Sequence, residues 1–152
     1  MAVVETGVRH PDALAMIAGS EAWLAAIYPP HLRYALDPEE LVAAGTRFVT
    51  AYLDDRPVGC GGLAFCRDGD EAWAELKRIY ADPAWRRRGI ATTVVAALEA
   101  IARAGGATRL RLETGLASPD ALALYDRLGY RRRGPFGAYV ENGSSVFMEK
   151  PA

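Results

Sequence analysis

Little in this sequence belongs to the residue types that most readily reveal a function. Its 152 residues include only two cysteines and two histidines. Cys60 and Cys66 cannot make a disulfide framework for a chain of this length, and nothing near them has zinc-ligand spacing. They read as small buried or half-buried thiols on one strand, and no metal site is expected. No run approaches the roughly 20 apolar residues that cross a bilayer, because the most apolar stretch, 90–102, is broken by Thr92, Thr93 and Glu99. The opening residues carry Glu5 and lack the basic-then-apolar order of a signal peptide, which predicts a cytoplasmic protein and no membrane partner. An excess of one charge is missing as well: 18 Lys+Arg against 19 Asp+Glu leave a net charge of -1. Such a chain has no global attraction for nucleic acid, so any basic site must be local.

What is present is an ordinary globular composition, 51% hydrophobic and 24% charged. No repeat, linker or low-complexity tract divides it, which predicts one domain over 1–152. Val3 to Val8 reads as a first strand. Pro11 opens a helix in which Leu14, Ile17, Trp23, Leu24 and Ile27 can share an apolar side, stopping at Tyr28 before two prolines. Asp37-Pro38-Glu39-Glu40 caps a short second helix. Phe48 to Leu53, Val58 to Phe65 and Ala72 to Tyr80 read as strands joined by polar turns, with Gly59, Gly61 and Gly62 hinting at a bulge. Alternation along the third puts Trp73, Glu75, Lys77 and Ile79 on one side. The period then becomes helical from Gly89 to Gly105-Gly106. A strand at Leu110 to Thr114 follows, then a helix opened by Ser118-Pro119-Asp120 and closed at Gly129, then strands at Tyr130 to Gly134 and Val146 to Glu149. The predicted class is mixed α/β (α+β): a mostly antiparallel sheet of six to seven strands with helices on both faces.

The most informative segment is the passage from strand to helix at Ile79 to Thr92. Its helix begins after three arginines and a glycine, leaving unpaired N–H groups at the positive end of the dipole. Such a terminus suits an anion: Gly89 and Ala91 let backbone approach a phosphate, Thr92 adds a hydroxyl, and Arg86, Arg87 and Arg88 bring charge. Spacing alone equally allows solvated arginines and a glycine that only makes the turn. The segment has neither the Gly-Lys-Ser/Thr of a P-loop nor a dinucleotide fingerprint.

Arg86-x-x-Gly89-x-Ala91, between a strand and a helix, resembles the Q/R-x-x-G-x-G/A signature with which the GNAT acetyltransferase superfamily holds the pyrophosphate of acetyl-CoA. Farther on, Ser118-x-x-Ala121-x-x-Leu124-Tyr125-x-x-x-Gly129-Tyr130 is similar to that superfamily's Asn-initiated helix motif. Two motifs in the right order are far more specific than either alone, and the likeness covers roughly Phe48 to Lys150. Serine stands at position 118 where the family often has asparagine, which leaves that contact with the pantetheine arm open.

The resemblance implies a GNAT fold and acetyl-CoA lying where the strand ending at Ala81 diverges from Leu110 to Thr114. It implies pantetheine pairing with the backbone of Ile79 and Ala81, the N–H of Ile79 or Tyr80 polarising the thioester carbonyl, pyrophosphate on Arg86 to Thr92 (Ile90 included), and Ser118 beside the arm. Tyr125 takes the part of acid toward the departing thiolate; periodicity alone would make it a core tyrosine, since Leu124 and Leu128 share its helix face. Glu75 matches the strand position of the base in one branch of the family, although it also reads as a paired or solvated strand carboxylate. Tyr28, Tyr34, Phe136 and Tyr139 lie on segments that wall the acceptor side in relatives, or else pack loops. His31 is a weaker alternative base and His10 an exposed helix-start residue. Arg109, Arg111 and Arg131 to Arg133 are expected to be mostly solvated. The implied activity is acetyl transfer to the primary amine of a small molecule by direct attack, without a cysteine-borne intermediate, in a chain that could pair as a homodimer. The rival readings are a non-catalytic acyl-CoA sensor or interaction module and a generic phosphate-binding domain.

Overall fold

A computed structural model describes every residue except Tyr34 and Arg86. Seven strands form one sheet: β1 (Ala2–Glu5), β2 (Arg47–Leu53), β3 (Arg56–Asp68), β4 (Glu71–Ala81), β5 (Arg109–Gly115), β6 (Arg131–Arg133) and β7 (Ser145–Pro151), in the order β1-β2-β3-β4-β5-β7-β6. Only β4 and β5 run parallel; every other pair is antiparallel. Helices α1 (Pro11–Ile27) and α2 (Pro38–Ala43) cover one face, while α3 (Ile90–Ala104) and α4 (Pro119–Arg127) cover the other. The expected class and the seven-strand mixed sheet are what the chain forms.

The α3 face is the larger core. Val94, Val95 and Leu98 are fully enclosed there against Val49, Leu63, Leu76 and Leu112. These are the α3 stripe and the alternate strand residues that periodicities of 3.6 and 2 bring together. At roughly 1.5–3 kcal/mol for each large apolar side chain removed from water, this layer dominates the stabilising term. The opposite face holds Ile17, Leu41 and Phe48 beneath α1 and α2. Beside them lies an aromatic cluster in which Phe136 meets Trp73, Tyr139 and Phe147 edge-on at 5.2–5.7 Å.

Three local expectations need correction. The first strand spans Ala2–Glu5, not Val3 to Val8, because Gly7 turns the chain in a left-handed conformation (φ 80°) and Val8 drops into the core under α1. In α1 the buried residues are Ala13, Met16, Ile17 and Ser20, whereas Leu14 and Trp23 are more than a third exposed. The helix is apolar on most of its circumference, so its sequence did not single out the face against the sheet. In β4 the alternation breaks at a bulge: Cys60 pairs with Tyr80 but Gly62 with Lys77, and Arg78 adopts φ 55°. The extra residue moves Ile79 to the α3 side and returns Arg78 and Tyr80 to the α1 side with Trp73, Glu75 and Lys77.

Arg111 also differs from expectation. Its side chain is 6% exposed, lies over the Trp73 ring at 4.7 Å, and meets Asp68, Glu71 and Glu149 at 3.2, 2.6 and 2.7 Å. Three carboxylates from three elements compensate its burial. Arg131, Arg132 and Arg133 are exposed, with Arg133 paired to Glu149. Among the described residues, no helix is long and apolar enough to cross a membrane.

Candidate active site

Pairing between β4 and β5 ends at Leu76 and Leu112, although β4 continues to Ala81 and β5 to Gly115. The β4 bulge at Arg78 begins just beyond this point, while β5 keeps its pairing with β7 to Gly115. The separation of β4 from β5 opens a cleft of about 640 Å³, floored by the end of β4 and walled by α1, α3, α4 and the β6–β7 loop. The edge of β4 that would face β5 beyond Leu76 has no strand partner.

One end of the cleft is the start of α3. Gly89 caps this helix at φ 70°, ψ 22°, a conformation that costs a residue with Cβ about 1 kcal/mol. Among the described residues no side chain caps it, and the first intrahelical donor is Thr93, so the N–H groups of Ile90, Ala91 and Thr92 have no partner among those residues. Thr93 spends its hydroxyl on the Gly89 carbonyl (2.8 Å), whereas Thr92 is exposed at the cleft. Arg87 and Arg88 also line it, and Arg88 stacks over Trp85 at 5.3 Å. Unpaired donors, a positive dipole end and two guanidiniums form a cradle of the chemistry a diphosphate needs. The expected contribution of Arg86 lies outside the described residues.

At the middle stands Tyr125, on the α4 face that packs onto the sheet. It is 6% exposed and edge-on to Tyr130 at 5.7 Å. No hydrogen bond among the described residues uses its hydroxyl. Burial, reinforced by the nearby charge of Glu113, pushes the phenol well above its ordinary value. Tyr125 is therefore a proton donor across the neutral range.

Two carboxylates meet on the far wall. Glu75 is 6% exposed; it accepts from the Tyr139 hydroxyl at 2.6 Å and pairs with Lys77 at 3.1 Å. Glu113, one position beyond Arg111 on the same face of β5, accepts from Ser145 Oγ at 2.8 Å. Burial, only partly offset by the Ser145 hydroxyl and aggravated by the charge of Glu75, raises its carboxyl to about 7. A carboxylate that titrates near neutrality in a cleft is a candidate for proton transfer. Sequence reading passed over it. The signal was there, since Glu113 alternates with Leu110 and Leu112 and must leave their apolar face. That its side of the sheet is dry and already holds Glu75 is a tertiary fact.

The acceptor-side expectations divide. Tyr28, the residue ending α1, lies against β5: its hydroxyl bonds Ser118 Oγ at 2.9 Å, and a Cβ on Gly115 would overlap its oxygen. Ser118 thus spends its side chain on Tyr28 rather than on capping α4. Ile79, Tyr80, Ala81, Ser118, Tyr28 and Tyr139 all line the cleft. Phe136 does not; it is 5% exposed behind Tyr139, where its ring completes the aromatic core. Tyr34 lies outside the described residues. His31 is exposed, and His10 accepts from the Asp12 amide at the start of α1.

Comparison with known proteins agrees with this geometry. The model of the acetyltransferase (GNAT) family matches residues 14–130. An IAA acetyltransferase of Azospirillum brasilense is 35% identical over 136 residues, covering 90% of this chain and 88% of that protein. The uncharacterized N-acetyltransferase YsnE of Bacillus subtilis is 35% identical over 124 residues, 80% of each. A structure from Klebsiella pneumoniae, provisionally described as an acyl-CoA N-acyltransferase, superposes with a TM-score of 0.81 at 33% identity over 99% of this chain and 96% of its own. At 20% identity, where only the fold is shared, the PaiA N-acetyltransferase of Thermoplasma acidophilum, solved with coenzyme A, gives 0.74 over 99% and 98%. A sheet splayed between its one parallel pair, a glycine-capped helix at the opening and the family match together make this chain a member of the GNAT family of acetyltransferases, enzymes whose acyl donor is acetyl-CoA.

Proposed function

We propose that the chain transfers an acetyl group to the primary amine of a small molecule by direct attack within a ternary complex. The observation that carries this reading is the placement of a proton acceptor and a proton donor in the one cleft: Glu113, titrating near 7, and Tyr125, protonated with its hydroxyl unspent. Acetyl-CoA, when bound, supplies an acyl carbon activated as a thioester. Ile90, Ala91 and Thr92 offer backbone N–H groups, and Arg87 and Arg88 guanidiniums, to its diphosphate; the unpaired edge of β4 from Ile79 to Ala81 receives its amide-bearing arm as an added strand would.

An ammonium group must lose a proton before it can attack. Glu113 is the better placed base, because its oxygens carry only one hydroxyl donor, whereas Glu75 is held by Tyr139 and compensated by Lys77. Glu75 contributes through its charge, which adds to the burial that raises the carboxyl of Glu113. On the other side Tyr125 holds its proton on Oη and presents it where the leaving sulfur gains charge. Both cysteines are on β3, away from the cleft lining, and burial raises the Cys60 thiol to about 12, so neither is suited to carry an acyl group.

The test is release of thiol from acetyl-CoA with a panel of primary amines. Turnover that falls at least tenfold in Tyr125→Phe, with coenzyme A affinity retained, supports the reading. Tight binding without turnover on any amine overturns it in favour of a sensor.

A further inference from the structure

The acceptor wall of the cleft carries one polar atom that nothing among the described residues satisfies. Arg33 follows the 3₁₀ turn Pro30–Leu32 and lines the cleft. Its Nε is buried and has no hydrogen-bond partner among the described residues. Buried N–H groups are almost always paired, and a charged one left unpaired is costly, so an unsatisfied Nε on a residue that lines the cleft points to a ligand.

The neighbouring charges say which kind. Glu21 lies 3.7 Å from Arg33 Nη1, but its other oxygen is held by Arg78 Nη2 at 2.7 Å. Two guanidiniums thus share one carboxylate, and this wall keeps an uncompensated positive charge. Because Nη1 faces Glu21, the edge of Arg33 left over is Nε with Nη2. That edge takes both oxygens of a carboxylate in parallel, as Arg47 does with Glu5 at 2.7 and 2.8 Å in this same chain. Trp23, Leu24 and Leu32 line the cleft alongside, offering apolar surface. Glu75 and Glu113 stand on the sheet wall and would repel an anion while attracting an ammonium.

We propose that the acceptor is an amine that also carries a carboxylate, on a partly apolar body, and that Arg33 binds this carboxylate through its Nε edge while the amine faces Glu113. The inference rests on the acetyltransferase reading above and narrows its acceptor to amino-carboxylates. Arg33 here sets specificity and orientation; it moves no proton.

The probes are leucine, phenylalanine and 6-aminohexanoate, each against its primary amide, with thiol release followed in wild type, Arg33→Gln and Arg33→Lys. Calorimetry with coenzyme A checks that each variant is folded. The amides of the two α-amino acids have the less basic amine and so present more of it unprotonated at neutral pH. A preference for these acids therefore cannot arise from amine basicity. The expected result is a kcat/KM at least tenfold higher for the acid of one or more pairs. That ratio should collapse toward one in Arg33→Gln, mainly through KM, and be partly retained in Arg33→Lys. Turnover without preference for the acid, or a preference that survives Arg33→Gln, overturns this inference and leaves the acetyltransferase reading intact. Binding of coenzyme A with no turnover of any probe or any other primary amine overturns both.

Discussion

Replacing Glu113 by glutamine keeps the shape of the side chain and an acceptor for Ser145 Oγ, but removes the charge that the cleft resists. In the folded protein the carboxyl is raised from 4.5 to about 7, first by burial. At roughly 1.4 kcal/mol per pH unit, that interval corresponds to about 3 kcal/mol. The sign follows from which state holds the proton more tightly. Below pH 4.5 Glu113 is protonated whether the chain is folded or not, and its contribution is fully present. As the pH rises through 7 the folded state must give up a proton it holds more tightly than the unfolded chain does, and the contribution is lost. Wild type should therefore lose stability relative to Glu113→Gln across this window, by roughly 6–12 °C in Tm for a domain of this size. Thermal melts of both proteins at half-unit steps from pH 4.5 to 8 measure it, and other titrating groups largely cancel in the difference. The same titration should set the rate: kcat/KM of wild type rises with pH to a plateau above about 7, while Glu113→Gln loses the rise and falls by about 10²-fold. A melting difference that is flat with pH, or a rising rate limb that survives in Glu113→Gln, would refute the assignment of the base.

Further outcomes follow from the same geometry. Gly89→Ala places a Cβ on a residue at φ 70° and should weaken coenzyme A binding about five- to tenfold by calorimetry, since straightening the turn misaims the free amides. Arg111→Met leaves Asp68 and Glu71 without their cation and Glu149 with Arg133 alone; a loss of about 1–2 kcal/mol is expected by urea denaturation. Gly115→Ala drives a methyl group into the Tyr28 oxygen and should raise KM for the acceptor more than it changes coenzyme A affinity, because Tyr28 belongs to the α1 wall.

Reading the chain residue by residue recovered the parts whose physics is local. The α3 stripe of Ile90, Val94, Leu98 and Ile101, the Asp37 cap of the second helix and the glycine turn at Gly89 are each decided within a few positions, and the structure adds that Glu40 completes a capping box and that Gly89 is left-handed. The free donors at the start of α3 and the sheet-facing side of α4 that carries Tyr125 were legible for the same reason, being set by their own segments, whereas the parts they would play came from the family resemblance. The bulge at Arg78 was not legible, because an extra residue in β4 exists only relative to the register of β3. Phe136 read as a pocket wall, yet its ring completes a cluster with Trp73 and Phe147, residues far off in the chain.

Periodicity by itself determined where most helices and strands lie and that a glycine turn opens α3, since side-chain direction within a segment depends on neighbours two to four positions away. Only the tertiary structure decided which carboxylate is raised, which arginine keeps an Nε without a hydrogen-bond partner among the described residues and which serine is already engaged. Burial and charge compensation at Glu113, Arg33 and Ser118 come from Glu75, Ser145, Glu21, Arg78 and Tyr28, groups that folding brings close from other elements. Water exclusion and Coulomb interaction act through space and not along the chain.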